Sequence, residues 1–90
     1  QKMTKLRMQI DGYDEKLLEI IGNRMQIVDK IGQLKKEKNV AILQNQRWNE
    51  ILNKMTSEGK AIGLSPEFIM QLFKAIHQES ISHQEKVMNK

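Results

Sequence analysis

Residues 3–37, MTKLRMQIDGYDEKLLEIIGNRMQIVDKIGQLKKE, read as one uninterrupted helix. Apolar side chains recur in alternating steps of four and three at Leu6, Ile10, Tyr13, Leu17, Ile20, Ile27, Ile31 and Leu34, which lines them along a single seam. Arg24 stands where that seam expects another apolar residue, so a full positive charge is aimed at a surface the helix must bury. At about 1.5 Å per residue the helix spans roughly 50 Å, whereas a compact domain of this size is only about 30 Å across. It cannot fit inside its own globule. The rest of the chain is expected to cover about half of the seam and a second copy the remainder. The fold class is therefore all-α, an intertwined homodimeric helical bundle.

Within this helix Gly12, Gly22 and Gly32 each cost up to about 1 kcal/mol against alanine. The periodicity runs through all three, so they are expected at close helix contacts and not at breaks. Asp11, Asp14, Glu15, Lys16, Glu19 and Lys30 lie mostly off the seam and read as a solvated face. The pattern ends at Lys35-Lys36-Glu37-Lys38-Asn39, with cations where the helix dipole favours them and Asn39 as a left-handed cap.

Val40 to Leu43 form a short apolar connection. A second, short helix is predicted from about Gln44 to Gly59, with Trp48, Ile51, Leu52 and Met55 on one face. Ser65-Pro66-Glu67 then starts a third helix of medium length, with serine as N-cap, proline at the first helical position and an acid in the first turn. Its apolar face runs Ile69, Leu72, Phe73, Ile76 and turns polar at Ser80 and Gln84 before Val87. No strand signal or repeat interrupts this order.

Composition narrows the function classes. Ninety residues, 39% hydrophobic and 29% charged, make a single domain over residues 1–90. Cysteine is absent, and His77 and His83 have no third ligand at a plausible spacing, so no metal site is expected and both histidines are placed on or beside a solvated face. No apolar run approaches the roughly twenty residues of a membrane span and no signal-peptide pattern opens the chain, which points to the cytoplasm and away from membranes. A start at Gln1 fits a processed product or a piece of a longer polypeptide. The net charge of +4, from fifteen basic and eleven acidic residues, suits anionic partners of any kind.

The placement of the cations carries more. Arg24 and Lys35 are about 20° apart in azimuth and roughly 16 Å apart along the helix, so two long side chains leaning together bracket one small dianion. Arg7 lies about 25 Å from Arg24 on the same helix, too far to share a ligand unless it comes from the other chain. Arg47, one turn from Gln44 and Ile51, adds a cation at an apolar edge, and Ser80 and Gln84 add neutral hydrogen-bonding groups. Such a pocket, with no evident nucleophile or histidine base, suits binding or a reaction that needs positioning and charge stabilisation. Blander readings stand beside this one. Arg24 can snorkel to water, Lys35 can simply cap the helix, Ser80 and Gln84 can mark where the third helix leaves the core, Trp48 can be a core anchor, and Arg7 can be a frayed surface residue.

The ordered set of Arg7, Asn23-Arg24, Lys35, Arg47, Ser80 and Gln84, with Asp14-Glu15-Lys16-Leu17-Leu18 and Leu72-Phe73, resembles the all-helical AroQ-class chorismate mutases over nearly the whole chain. The resemblance implies conversion of chorismate to prephenate in aromatic amino-acid biosynthesis by an intramolecular Claisen rearrangement, without cofactor, in two sites shared by interlocked protomers. It makes Lys35, Gln84 and Arg24 the catalytic candidates. Arg7 of the partner subunit and Arg24 would grip the substrate carboxylates, Ser80 would help at the ring carboxylate, and Lys35 and Gln84 would donate to the ether oxygen. Arg47 would shape the carboxylate environment. Gln44 and Trp48 stand near the substrate's ring hydroxyl, where the family often carries aspartate and glutamate. These two departures leave an isochorismate-pyruvate lyase open on the same fold. Family members are also fused to DAHP synthase or a prephenate-processing enzyme, which the non-Met start permits. From a different class, a helical dimerisation module or a basic nucleic-acid-binding domain remains. Against nucleic acid, the singled-out cations sit on or beside apolar seams while the exposed faces mix both signs.

Overall fold

The computed structural model describes residues 1–90 as three helices and no strand: α1 (Lys2–Lys38), α2 (Asn45–Ala61) and α3 (Pro66–Met88). The terminators act as their chemistry requires. Asn39 takes the left-handed conformation (φ 55°, ψ 45°) that stops α1, and Ser65 accepts a 3.2 Å hydrogen bond from the Phe68 amide at the start of α3. No helix is long and apolar enough to cross a membrane.

α2 and α3 form an antiparallel hairpin, and α3 lies between α2 and the C-terminal half of α1. The pairs Met25 with Ser80, Asp29 with His83 and Gly32 with Gln84 advance together, so α3 runs parallel to α1. The faces expected on α2 and α3 are the ones used: Trp48, Ile51, Leu52 and Met55, then Ile69, Leu72, Phe73, Ile76, Ser80, Gln84 and Val87, are all buried or half-buried.

The long helix departs from expectation in one respect. All eight residues of its seam are exposed, from 42% at Ile31 to 66% at Tyr13. Its own chain was expected to cover about half of them; it buries none. α3 instead docks on a neighbouring strip, Met25, Val28 and Gly32. Gly32 favours this, because a Cβ there would lie 3.2 Å from the Gln84 Cα, a tight contact that would push the two backbones a few tenths of an ångström apart. Gly12 and Gly22 meet nothing within 4 Å in this chain, unlike Gly32.

The result is a single layer measuring 56 × 27 × 14 Å, with a radius of gyration of 16.3 Å against about 12 Å for a compact chain of this length. Its accessible surface of 7393 Å² exceeds the roughly 5,400 Å² of a compact monomer of this mass. Stable domains cover their apolar faces with a second layer, and this chain supplies only one.

At the other end of the hairpin, a Cβ at Gly59 would fall 2.7 Å from Cγ1 of the buried Ile69. Overpacking of this kind costs about 1–3 kcal/mol, more than the up to about 1 kcal/mol that alanine returns in a helix. Gly59→Ala is therefore expected to destabilise the fold by about 1–2 kcal/mol in urea titration, and a stabilised variant would refute the packing described.

Candidate active site

The two polar residues on the α3 face are among its most buried, Ser80 at 6% and Gln84 at 8% exposure. They therefore do not mark the helix running out into solvent. Each answers a cation of α1. Arg24 donates from Nη1 to Ser80 Oγ at 2.7 Å, while the Ser80 hydroxyl donates to the Ile76 carbonyl at 2.9 Å, which turns its lone pairs toward the guanidinium. Lys35 donates from Nζ to Gln84 Oε1 and to the Ile42 carbonyl, both at 2.8 Å. An ammonium can only donate, so the Gln84 amide presents its oxygen to Lys35 and keeps Nε2 for other work; its bond to the Ser80 carbonyl is long, 3.4 Å. The loop after α1 delivers the Ile42 carbonyl, a partner that no side-chain pattern announces.

Between these groups lies a cavity of about 320 Å³. Arg24, Val28, Ile31 and Lys35 line it from α1, Ile42 and Gln44 from the connection, Arg47, Trp48 and Ile51 from α2, and His77, Ser80 and Gln84 from α3. Seven of the eight candidates thus converge. Arg7 does not: it is exposed, outside the cavity, on the projecting half of α1. Trp48 is half-buried in the hairpin and also lines the cavity.

His77 corrects the sequence reading. It is not on a solvated face but half-buried, lining the cavity and stacked on Trp48 with ring centroids 4.1 Å apart and planes 15° from parallel. The pattern could have shown it, since His77 follows Phe73 by one turn of α3. His83 is half-buried beside the helix surface, where its ring nitrogens meet Asp29 at 2.8 Å and Glu79 at 3.4 Å.

The electrostatics are one-sided. Three cations line the cavity and no carboxylate does. Burial lowers the pKa of Arg24, with a further push from Arg47, and burial lowers that of Lys35. Arg47 is the exception in having a carboxylate nearby, an exposed 3.8 Å pair with Glu50 of little energetic weight. Desolvated cations without counter-ions are unfavourable, and a small anion with two or more carboxylates supplies what the chain omits. Ser80 contacts no base, so the group set favours binding, orientation and donation over nucleophilic attack.

The family model for chorismate mutase type II matches residues 6–85. The bifunctional chorismate mutase/prephenate dehydratase of Buchnera aphidicola subsp. Acyrthosiphon pisum is 37% identical over 84 residues, covering 93% of this chain and 22% of the relative. The T-protein of Enterobacter agglomerans is 29% identical over 79 residues, 88% of this chain and 21% of its own. The Escherichia coli K12 bifunctional chorismate mutase/prephenate dehydratase is 27% identical over 86 residues, 96% and 22% respectively. The chain spans about a fifth of the length of these curated relatives.

Burial, then Arg24 and Lys35, depress the pKa of His77 below its ordinary value. The unfolded chain therefore takes up this proton first as the pH falls, and stability is lost progressively below about pH 6.5. Thermal unfolding across this range should show a melting temperature that drops with acidification in the parent and drops less in His77→Phe. Parallel curves would refute the placement of His77.

Proposed function

The chain belongs to the chorismate mutase type II family, and from that premise we propose that it rearranges chorismate to prephenate in the cavity between its three helices. The observation that carries this is the pair Arg24 and Lys35, desolvated, without counter-ions, and facing a space that no carboxylate lines. Chorismate is a dianion of a size for such a space. Its rearrangement breaks a carbon–oxygen bond as a carbon–carbon bond forms and needs no proton transfer, nucleophile or cofactor.

The roles follow from which hydrogens remain free. Arg24 has one N–H on Ser80 and others left to grip a substrate carboxylate. Lys35 has two of its three protons on Gln84 and Ile42, which leaves the third for substrate. That proton and the amide of Gln84 donate to the ether oxygen, where negative charge grows in the transition state. Donors set before the charge appears are worth about 3–4 kcal/mol each. Clamping the diacid in a chair-like conformer removes further barrier. Arg47 shapes the carboxylate environment at the rim, with Gln44 and Trp48 beside the ring.

Two protomers complete the site. Eight exposed seam residues, each able to contribute about 1.5–3 kcal/mol on full burial, lie on the projecting half of α1 and beyond. Covering that seam with a second copy brings Arg7 of the partner subunit to the other substrate carboxylate. A covalent partner of the prephenate-processing class, as the names of the relatives print, belongs to the same proposal.

Chorismate consumption by purified protein is the direct test, run beside isochorismate to separate mutase from lyase. Arg24→Ala and Lys35→Ala are each expected to lower turnover at least about a hundredfold; near-parental rates in both would overturn the site. A further expectation concerns mixed dimers. Arg7→Ala subunits combined with Lys35→Ala subunits should regain activity at one of two sites, and confirmed heterodimers without activity would refute sharing.

A further inference from the structure

Hydrogen-bonding capacity around the cavity is unevenly divided. Arg24, Lys35, Arg47 and the Trp48 indole can only donate. Of the acceptors, Gln84 Oε1 and the Ile42 carbonyl already receive Lys35, and Ser80 Oγ receives Arg24. Two acceptor groups remain. Gln44 is exposed at the N-terminus of α2, where its side chain makes no cap bond. His77 is half-buried and its ring plane is fixed against Trp48. His83 engages carboxylates with both ring nitrogens, whereas neither nitrogen of His77 has a partner in the chain. A site made only of donors holds carboxylates well but has nothing to receive the proton of a hydroxyl group.

We infer that His77 is the specificity-determining residue that accepts a hydrogen bond from the ring hydroxyl of the substrate, with Trp48 as the positioning residue that holds the imidazole plane. The inference rests on the function proposed above and deepens it. An imidazole accepts only when neutral, and every charged group lining the two cavities that meet at His77 is a cation: Arg24 and Lys35 from α1, Arg47 from α2 and Lys74 from α3. Those charges oppose a second proton on the ring and keep one nitrogen available, in agreement with the lowered pKa. The hydroxyl takes no part in bond making or breaking, so its contact contributes equally to ground and transition states and is read in KM.

The test compares chorismate with its ring O-methyl ether, which has the same charge but no hydroxyl proton. The parent should prefer chorismate in KM by roughly tenfold, the value of one well-made hydrogen bond, with similar kcat. In His77→Phe, which keeps an aromatic ring for Trp48 to stack on, that preference should collapse toward one through a rise in KM for chorismate alone. Each ratio is internal to one variant, so a loss of folded protein cancels. His77→Gln, which retains an acceptor, should keep more of the preference than His77→Phe. Acidification below the histidine range should erode the parental ratio and leave that of His77→Phe flat, since attraction of the dianion is common to both compounds.

An unchanged ratio in His77→Phe overturns the inference, as does a ratio that collapses in Gln44→Ala instead. Equal KM increases for both compounds would make His77 merely structural and also overturn it. Should the parent turn over neither compound, the mutase proposal fails on its own, and the same ratio read as calorimetric affinities still decides the role of His77.

Discussion

The contact of a guanidinium and an ammonium on α1 with a buried hydroxyl and a buried amide on α3 is the constraint on which the rest depends. Ser80 and Gln84 are the only polar residues among the seven buried in the chain, and both are committed to cations. Charge in a helix interface is unfavourable unless something compensates it. Here the neutral partners fix the geometry of the cations without neutralising them. The positive charge therefore remains available to a ligand, and the side chains are held in place before one arrives.

That arrangement requires two backbones to approach closely at one point. Gly32 allows it, and the parallel run of α3 along α1 brings Arg24 to Ser80 and Lys35 to Gln84. The connection between α1 and α2 then closes the far side, its Ile42 carbonyl holding the lysine in place. Docking on the glycine strip leaves the apolar seam of the long helix uncovered. The cavity and the exposed seam meet on α1 at Arg24 and Ile31, and the rest of the seam stays uncovered. The single-layer shape and the surplus of accessible surface are consequences of that docking.

Most of the site was legible residue by residue. A cation interrupting an apolar seam, and a polar pair interrupting the apolar face of α3, are conflicts between local pattern and burial, and such conflicts mark function. His77 escaped because a histidine one turn after an apolar residue looks the same whether it faces water or a stacked indole. The Ile42 carbonyl escaped because backbone acceptors carry no signature in residue type. The coverage of the α1 seam was not legible, since periodicity reports which residues share a face and not which neighbour takes it.

The sequence by itself determined three helices, the caps at Asn39 and Ser65, the apolar faces of α2 and α3 and the set of cations, because each depends on local propensity and spacing along one helix. Tertiary structure alone decided which strip of α1 meets α3, that Trp48 and His77 stack, and that seven candidates from different elements line one carboxylate-free space. Those outcomes depend on the close approach of separate helices, which at Gly32 is eased by the absence of a side chain.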